Sequence, residues 1–307
     1  MWFRNLSVFQ SSQPFKWSSA ELDDMLSRAH CPSITQQALS VDGFVAPVKT
    51  DERMVHDTDG LIFATYQETS RLLPGAVIKE ELEERVQQIE AKEGRKPGRK
   101  ERADLKDQIT FELMPKAFTR SRRIPFLIDM MRHRIIIDAS GARAEQVVAA
   151  LRKAVGDLPV KPPGAEHAPA AAMTEWLRNP ASLPGGLTLG DRCELKADSD
   201  AGASVRFTAM DLGREEILAH LETGMAVVKL NLCWDDACEF DLSDKLEIKR
   251  LRPLDMLREN IDAIDEEDVL AELMAHISLQ GGLMRSILDR LYTFFGDEAQ
   301  APTPVSR

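Results

Sequence analysis

Paired carboxylates are the residues here most able to do chemistry, because converging acids can hold Mg²⁺ for phosphodiester cleavage. Five pairs are candidates: Asp23-Asp24, Asp57/Asp59, Asp198/Asp200, Glu215-Glu216 and Asp235-Asp236. None sits in a metal or nuclease pattern, and neighbours on a helix or strand point in different directions, so charged surface is expected for all five. The histidines, at His30, His56, His133, His167, His220 and His276, do not cluster. His133, between Arg132 and Arg134, could touch a phosphate or simply occupy a surface turn. Cys31, Cys193, Cys233 and Cys238 form no CxxC pair and are expected to be reduced thiols. Cys233 and Cys238 fall in an expected hairpin and could face each other. No GxxxxGK[ST], GxGxxG or GxSxG motif is present. The residues predict no catalytic group, no metal and no cofactor.

Charge gives a stronger signal. The chain has 307 residues and a net charge of −11, yet Lys92 to Arg134 holds thirteen basic and six acidic residues. That window is +7, and the remaining 264 residues are −18. A basic island on an acidic body can bind a polyanion locally while the body stays soluble. Arg95, Lys96, Arg99 and Lys100 crowd one turn and could neutralise phosphates, or form only a solvated hairpin beside Glu80, Glu81, Glu83, Glu84 and Glu90. Next comes Lys116-Ala117-Phe118-Thr119-Arg120-Ser121-Arg122-Arg123, with no clear helix or strand period. Its Phe118 could wedge against nucleic acid, plug a partner's pocket, or fold into the local core. The acidic run Asp255 to Glu272, eight acids against Arg258, should avoid phosphate and face away from it.

The elements that must position these residues follow from periodicity. Ile78, Leu82, Val86 and Ile89 recur at helical steps between Ala76 and about Glu93. Pro97 and the glycines of Gly94-Arg95-Lys96-Pro97-Gly98-Arg99-Lys100 interrupt that helix. A second helix resumes near Glu101, carries Leu105, Ile109, Leu113 and Met114 on one face, and stops at Pro115. The pair predicts a helical hairpin with a basic tip. Before it, residues 3–9 read as a strand, Ser18 caps a helix with Glu21 three positions on, and 43–48 and 61–67 are extended. After it come strands at 125–129 and 134–139 and a helix over 145–155.

Residues 157–172, rich in proline and alanine, read as an exposed linker. Beyond it lie a helix at 174–178, strands at 191–196 and 204–210, a helix at 214–223, and a meander over 226–234, 237–242 and 247–251. Helices at 254–264 and 269–295 end the pattern. The fold class is α+β, two mixed lobes with a projecting basic helical hairpin. Expected domains are 1–75 plus 124–158, the hairpin tip 76–123, a linker 159–172, a base domain 173–296 and a tail 297–307. No run of about 18 apolar residues predicts a membrane span, and the N-terminus does not read as an export signal, so the chain is expected to be cytoplasmic.

Short motifs in a fixed order carry a resemblance. They are Met1-Trp2-Phe3-Arg4-Asn5-Leu6, Leu73-Pro74 with Val77-Ile78-Lys79, Leu113-Met114-Pro115-Lys116-Ala117-Phe118-Thr119-Arg120, and Asp129 in the next strand. Leu151-Arg152-Lys153, Gly156-Asp157-Leu158-Pro159-Val160, Thr174-Glu175-Trp176-Leu177 and Lys249-Arg250-Leu251 continue the series to about residue 295. The set resembles the RdgC family of bacterial recombination-associated DNA-binding proteins. Pro97 and its flanking glycines depart from the more continuous lysine-rich helix expected of relatives.

The resemblance implies a homodimer closed into a ring, whose basic hole holds double-stranded DNA with little sequence preference. It implies functional antagonism of RecA, a nucleoid location and no membrane partner. The expected DNA-binding set is Lys79, Arg95, Lys96, Arg99, Lys100, Lys116, Arg120, Arg122 and Arg123, with Phe118 at the dimer interface. A metal-dependent exonuclease, a label the family has also carried, is the alternative. A scaffold whose basic hairpin docks an acidic protein is a third reading.

Overall fold

A computed structural model of the chain describes residues 2–197, 202–264 and 268–296. The first elements are β1 (Leu6–Ser11), α1 (Ser19–Arg28), β2 (Ser40–Val45), β3 (Val55–Thr58) and β4 (Leu61–Arg71). The hairpin helices α2 (Gly75–Glu93) and α3 (Arg99–Leu113) follow. Then come β5 (Thr119–Asp129), β6 (Arg134–Asp138), α4 (Ala142–Val155), β7 (Val160–Lys161) and α5 (Pro169–Arg178). The remainder is β8 (Leu187–Ala197), β9 (Ser204–Phe207), α6 (Glu215–Glu222), β10 (Met225–Trp234), β11 (Cys238–Ser243), β12 (Ile248–Pro253), α7 (Asp255–Asp262) and α8 (Val269–Phe295).

The fold class is α+β, as the segment pattern predicts. The strands run in the order β2-β4-β5-β6-β1-β12-β11-β10-β8-β9, with β3 on β4 and β7 on β1. Two compact units make up the chain. The larger comprises Met1–Leu26, Ala46–Thr65 and Ile124–Arg307; the smaller comprises Ser27–Val45 and Tyr66–Arg123. Strands β4 and β5 pass from one unit into the other.

The larger unit buries one aliphatic core. The inward residues of β10 and β11, Leu230, Leu232, Phe240 and Leu242, alternate with polar neighbours and pack with Ile287, Leu288, Leu291 and Phe295 of α8. Helix α8 comes very close to β4: a Cβ on Gly281 would lie 2.0 Å from Leu61 Cδ1. A side chain at position 281 would have to displace that of the buried Leu61. The Ser18 cap forms as expected, Ser18 N–H and Oγ each donating to Glu21 at 2.8 Å while Glu21 N–H returns to Ser18 Oγ at 3.3 Å.

Several strand bounds shift from expectation, β2 to Ser40–Val45 and β4 out to Arg71, and β3 is not expected at all. Three further differences have identifiable physical reasons. Strand β5 starts at Thr119, six residues before Pro125, because pairing rather than apolar alternation defines it. Residues 157–172 are not continuous coil: Val160–Lys161 pairs with β1, Leu158 is buried, and α5 starts at Pro169. Proline is suited to that first helical position because its missing N–H is unneeded there. Cys233 and Cys238 do not face each other: Cys233 pairs with Glu239 and Trp234 with Cys238, so the two thiols take opposite faces. Burial pushes the Cys238 thiol up to about 12.

Candidate nucleic-acid interface

The basic hairpin lies wholly in the smaller unit. At about 1.5 Å per residue its arms are roughly 28 and 22 Å long. Val86 of α2 and Ile109 of α3 are buried, with Leu82, Ile89, Leu105 and Leu113 partly covered. Such a narrow stripe joins two helices and leaves most of each in solvent. Arg85 bridges the arms, pairing with Glu112 across the hairpin and with Glu81 at 3.5 Å along its own helix. The Arg85 guanidinium holds the Glu112 carboxyl below its ordinary range.

The tip is a designed turn in the physical sense. Gly94 takes a left-handed conformation (φ 66°), and its N–H donates to the Glu90 carbonyl at 2.9 Å, ending α2. Pro97 is buried, and Gly98 sits at the N-cap of α3, so that helix starts at Arg99 rather than near Glu101.

The cations divide into two groups. Arg95 pairs with Glu93 and Glu101, both at 2.7 Å, Lys96 with Glu90 at 3.7 Å, and Lys79 with Glu83 at 3.8 Å. The Glu101 hydrogen bonds raise the Arg95 pKa, and Arg95 in turn lowers that of Glu101. Arg123 donates to Gln67 at 3.3 Å. By contrast Arg99, Lys100, Arg102, Lys106, Lys116, Arg120 and Arg122 make no ion pair among the described residues, and all but the half-buried Arg122 are exposed. Arg99, Lys100 and Arg102 stand in the first turn of α3, where the helix dipole disfavours cations by about 0.3–1 kcal/mol each. Helix stability therefore does not explain their placement.

At the neck, the Leu72 N–H donates to the Phe118 carbonyl at 2.7 Å, closing the hairpin's two ends together. Arg71 donates to the carbonyls of Ala38, Ala117 and Thr35 at 3.0–3.1 Å, which ties the neck to the segment before β2. No periodic signal in the sequence marks Arg71 for this. Phe118 is 84% exposed, the most exposed large apolar side chain among the described residues, so it is not a core residue of this chain. Along β5, Ser121 bonds Thr69 and Arg123 bonds Gln67, which puts Arg120 and Arg122 on the other face.

Other sequence candidates have structural occupations. Asp23 accepts the N–H groups of Met54 (2.7 Å) and Val55 (3.1 Å), and Asp57 accepts from Ser19 at 2.9 Å. Asp59 accepts from Ser278, and Asp235 and Asp236 fill the left-handed turn between β10 and β11. Glu215 and Glu216 occupy the first turn of α6, and Asp198 and Asp200 lie outside the described residues. No three His, Cys, Asp or Glu side chains gather as metal ligands among the described residues. Arg132 and Arg134, counted in the basic window, are held by Asp289 at 2.9 and 2.5 Å. They belong to the larger unit's internal ion pairs. His133 has φ 51° and gives its carbonyl to the Ser11 N–H at 2.8 Å, a turn role.

A family model described as "Putative exonuclease, RdgC" matches residues 1–298. A recombination-associated protein RdgC from Laribacter hongkongensis is 38% identical over 306 residues, covering 98% of this chain and all of the relative. The chain belongs to the RdgC family. Relatives of the same name from Shewanella loihica and Tolumonas auensis are 39% and 35% identical over 300 residues each, covering 96% and 97% of this chain and 98% and 99% of their own. These RdgC relatives are named for recombination and for no enzymatic step. No helix among the described residues is long and apolar enough to cross a membrane.

Proposed function

We propose that this chain binds double-stranded DNA without sequence preference, as a homodimeric ring, and that by occupying DNA it restrains RecA during recombination. One observation carries the reading: Arg99, Lys100, Arg102, Lys106, Lys116, Arg120 and Arg122 stand without ion pairs among the described residues, in a chain of net charge −11. Unpaired Lys and Arg on a projecting element neutralise phosphates without reading bases. Arg99, Lys100, Lys116, Arg120 and Arg122 are the principal contacts. Lys79, Arg95, Lys96 and Arg123 contribute by exchanging weak, exposed partners for phosphate. Phe118 closes the ring by entering an apolar pocket of the second subunit. The acidic α7 faces outward, away from DNA; of the acidic run, residues 265–267 lie outside the described residues. The ring acts without catalysis, at the nucleoid.

The test is affinity for random duplex across a salt series. Neutralising several phosphates per subunit requires a steep fall with salt. A nearly flat response sinks the proposal.

The family description favours a second reading, a metal-dependent exonuclease. End-labelled duplex incubated with Mg²⁺ or Mn²⁺ separates the two. Shortening that tracks the pure protein and disappears when one acidic pair is replaced establishes the enzyme.

A further inference from the structure

We infer that a pocket on the larger unit, remote in sequence from the basic hairpin, binds an acidic peptide through its carboxylates and one large apolar side chain. The cavity measures about 610 Å³ and has Arg4, Arg192, Arg250, Arg252 and Arg258 around it, with Asp262 as the one acid in its lining. Trp2, Leu251 and Ile261 supply its apolar wall. Five arginines converge here in the part of the chain whose overall charge is negative.

A β-bulge builds the pocket. Glu239 pairs with Arg252 and Asp241 with Lys249, so Arg250 and Leu251 together oppose the single residue Phe240. Arg250 takes the left-handed conformation at φ 54°, unusual for a non-glycine residue. Bulges of this kind re-aim side chains beside functional sites. The bulge also frees backbone groups to clasp the N-terminal segment. Leu251 N–H donates to the Arg4 carbonyl at 2.9 Å, and the Trp2 indole N–H donates to the Leu251 carbonyl at 3.0 Å. The indole is thereby fixed as a wall, and Arg4 is set beside Arg250.

Three of the cations share their two buried anions. Arg192, Arg250 and Arg252 share two buried carboxylates: Arg192 meets Glu239 and Asp241 at 3.3 Å, Arg250 meets Asp241 at 3.3 Å, and Arg252 meets Glu239. Arg192 also meets the exposed Asp191 at 3.0 Å, and Arg258 meets the exposed Asp255 at 3.6 Å. Arg4 makes no ion pair among the described residues. Arg192 is largely buried among its carboxylates, whereas Arg250 and Arg252 keep side-chain exposures of 63% and 59% and remain open to a ligand. Arginine forks match carboxylates in bidentate geometry.

Size and surroundings favour a peptide over duplex DNA. The volume falls in the range of pockets that enclose a small group. A duplex presents a charge about every 1.7 Å of axis and would bring many phosphates against Asp255, Glu259 and Asp262 of α7. A peptide can place one or two carboxylates on the arginines and an apolar side chain on Trp2.

The experiment uses the full chain and a fluorescein-labelled, amidated peptide, Gly-Asp-Glu-Leu-Phe-Asp-Gly. Anisotropy should report saturable binding. Replacing the acids by their amides, or Leu-Phe by Ser-Ser, should each weaken it tenfold or more. Arg4→Glu should weaken it at least as much while leaving duplex affinity unchanged, and Arg258→Ala provides a second variant with no buried partner to strand. Two results overturn the inference: no saturable binding up to about millimolar protein, or displacement of the peptide by random duplex together with equal loss of duplex affinity in Arg4→Glu.

Discussion

Asp129, with no solvent exposure, accepts two hydrogen bonds of 2.9 Å from Arg285, 156 residues away in sequence. Met131 and Arg132 N–H groups complete its coordination at 3.1 Å, so the end of β5, the following turn and α8 are fixed to a single carboxylate. Removing Arg285 leaves a buried charge uncompensated, which typically costs about 3–5 kcal/mol. Arg285→Ala should therefore lower the urea midpoint markedly. Duplex affinity, measured where the variant remains folded, should hardly change.

Phe118 should behave in the opposite way. Its side chain is largely in solvent, so Phe118→Ala should leave the unfolding midpoint of the isolated chain unchanged. If it anchors the second subunit, dimerisation weakens by roughly 2 kcal/mol or more. Sedimentation equilibrium beside urea unfolding distinguishes an interface residue from a core one.

Cations with and without partners should differ in their salt signatures. Lys116→Ala, Arg99→Ala and Lys100→Ala should each flatten the slope of log affinity against log salt by about one unit while leaving assembly intact. Arg95→Ala should flatten it less, because phosphate must first displace Glu93 and Glu101. Equal slopes for Arg95→Ala and Arg99→Ala would contradict this ranking.

The hairpin should loosen in acid. Arg85 and Arg95 hold Glu112 and Glu101 below the ordinary glutamate range. A carboxylate with a depressed folded value stabilises above its unfolded value, and that stabilisation is lost as pH falls through the folded one. Amide exchange across α2 and α3, corrected for intrinsic rates, should accelerate relative to α8 as pH falls from about 5 to about 3. Arg85→Met should remove the share contributed by Glu112 and leave that of Glu101.

The parts legible in the sequence are those with a local period. The Ile78-Leu82-Val86-Ile89 spacing marks α2, the Leu105-Ile109-Leu113 spacing marks α3, and the long apolar pattern of α8 gives its bounds without error. The start of β5 has no such mark: Thr119 to Arg123 is polar on both faces, and its strand identity comes from partners on β4. The difference between Arg95 and Arg99 depends on which glutamate each side chain reaches once Pro97 turns the chain. Arg132 and Arg134 read as part of one basic window, but folding brings Asp289 to them from far along the chain. Local charge is countable in sequence; its neutralisation is a tertiary fact.

The Leu72–Phe118 hydrogen bond gives the hairpin an architectural independence. Strands β4 and β5 are neighbours in the sheet, and everything between them leaves and returns through one closed neck. Topologically, the two helices are an overgrown connecting loop. Loop-closure entropy rises only slowly with length, so lengthening or shortening both arms by matched turns costs little in folding. The reach and charge of the tip are thus adjustable parts, open to variation by insertion and deletion while the sheet that carries them is left as it was.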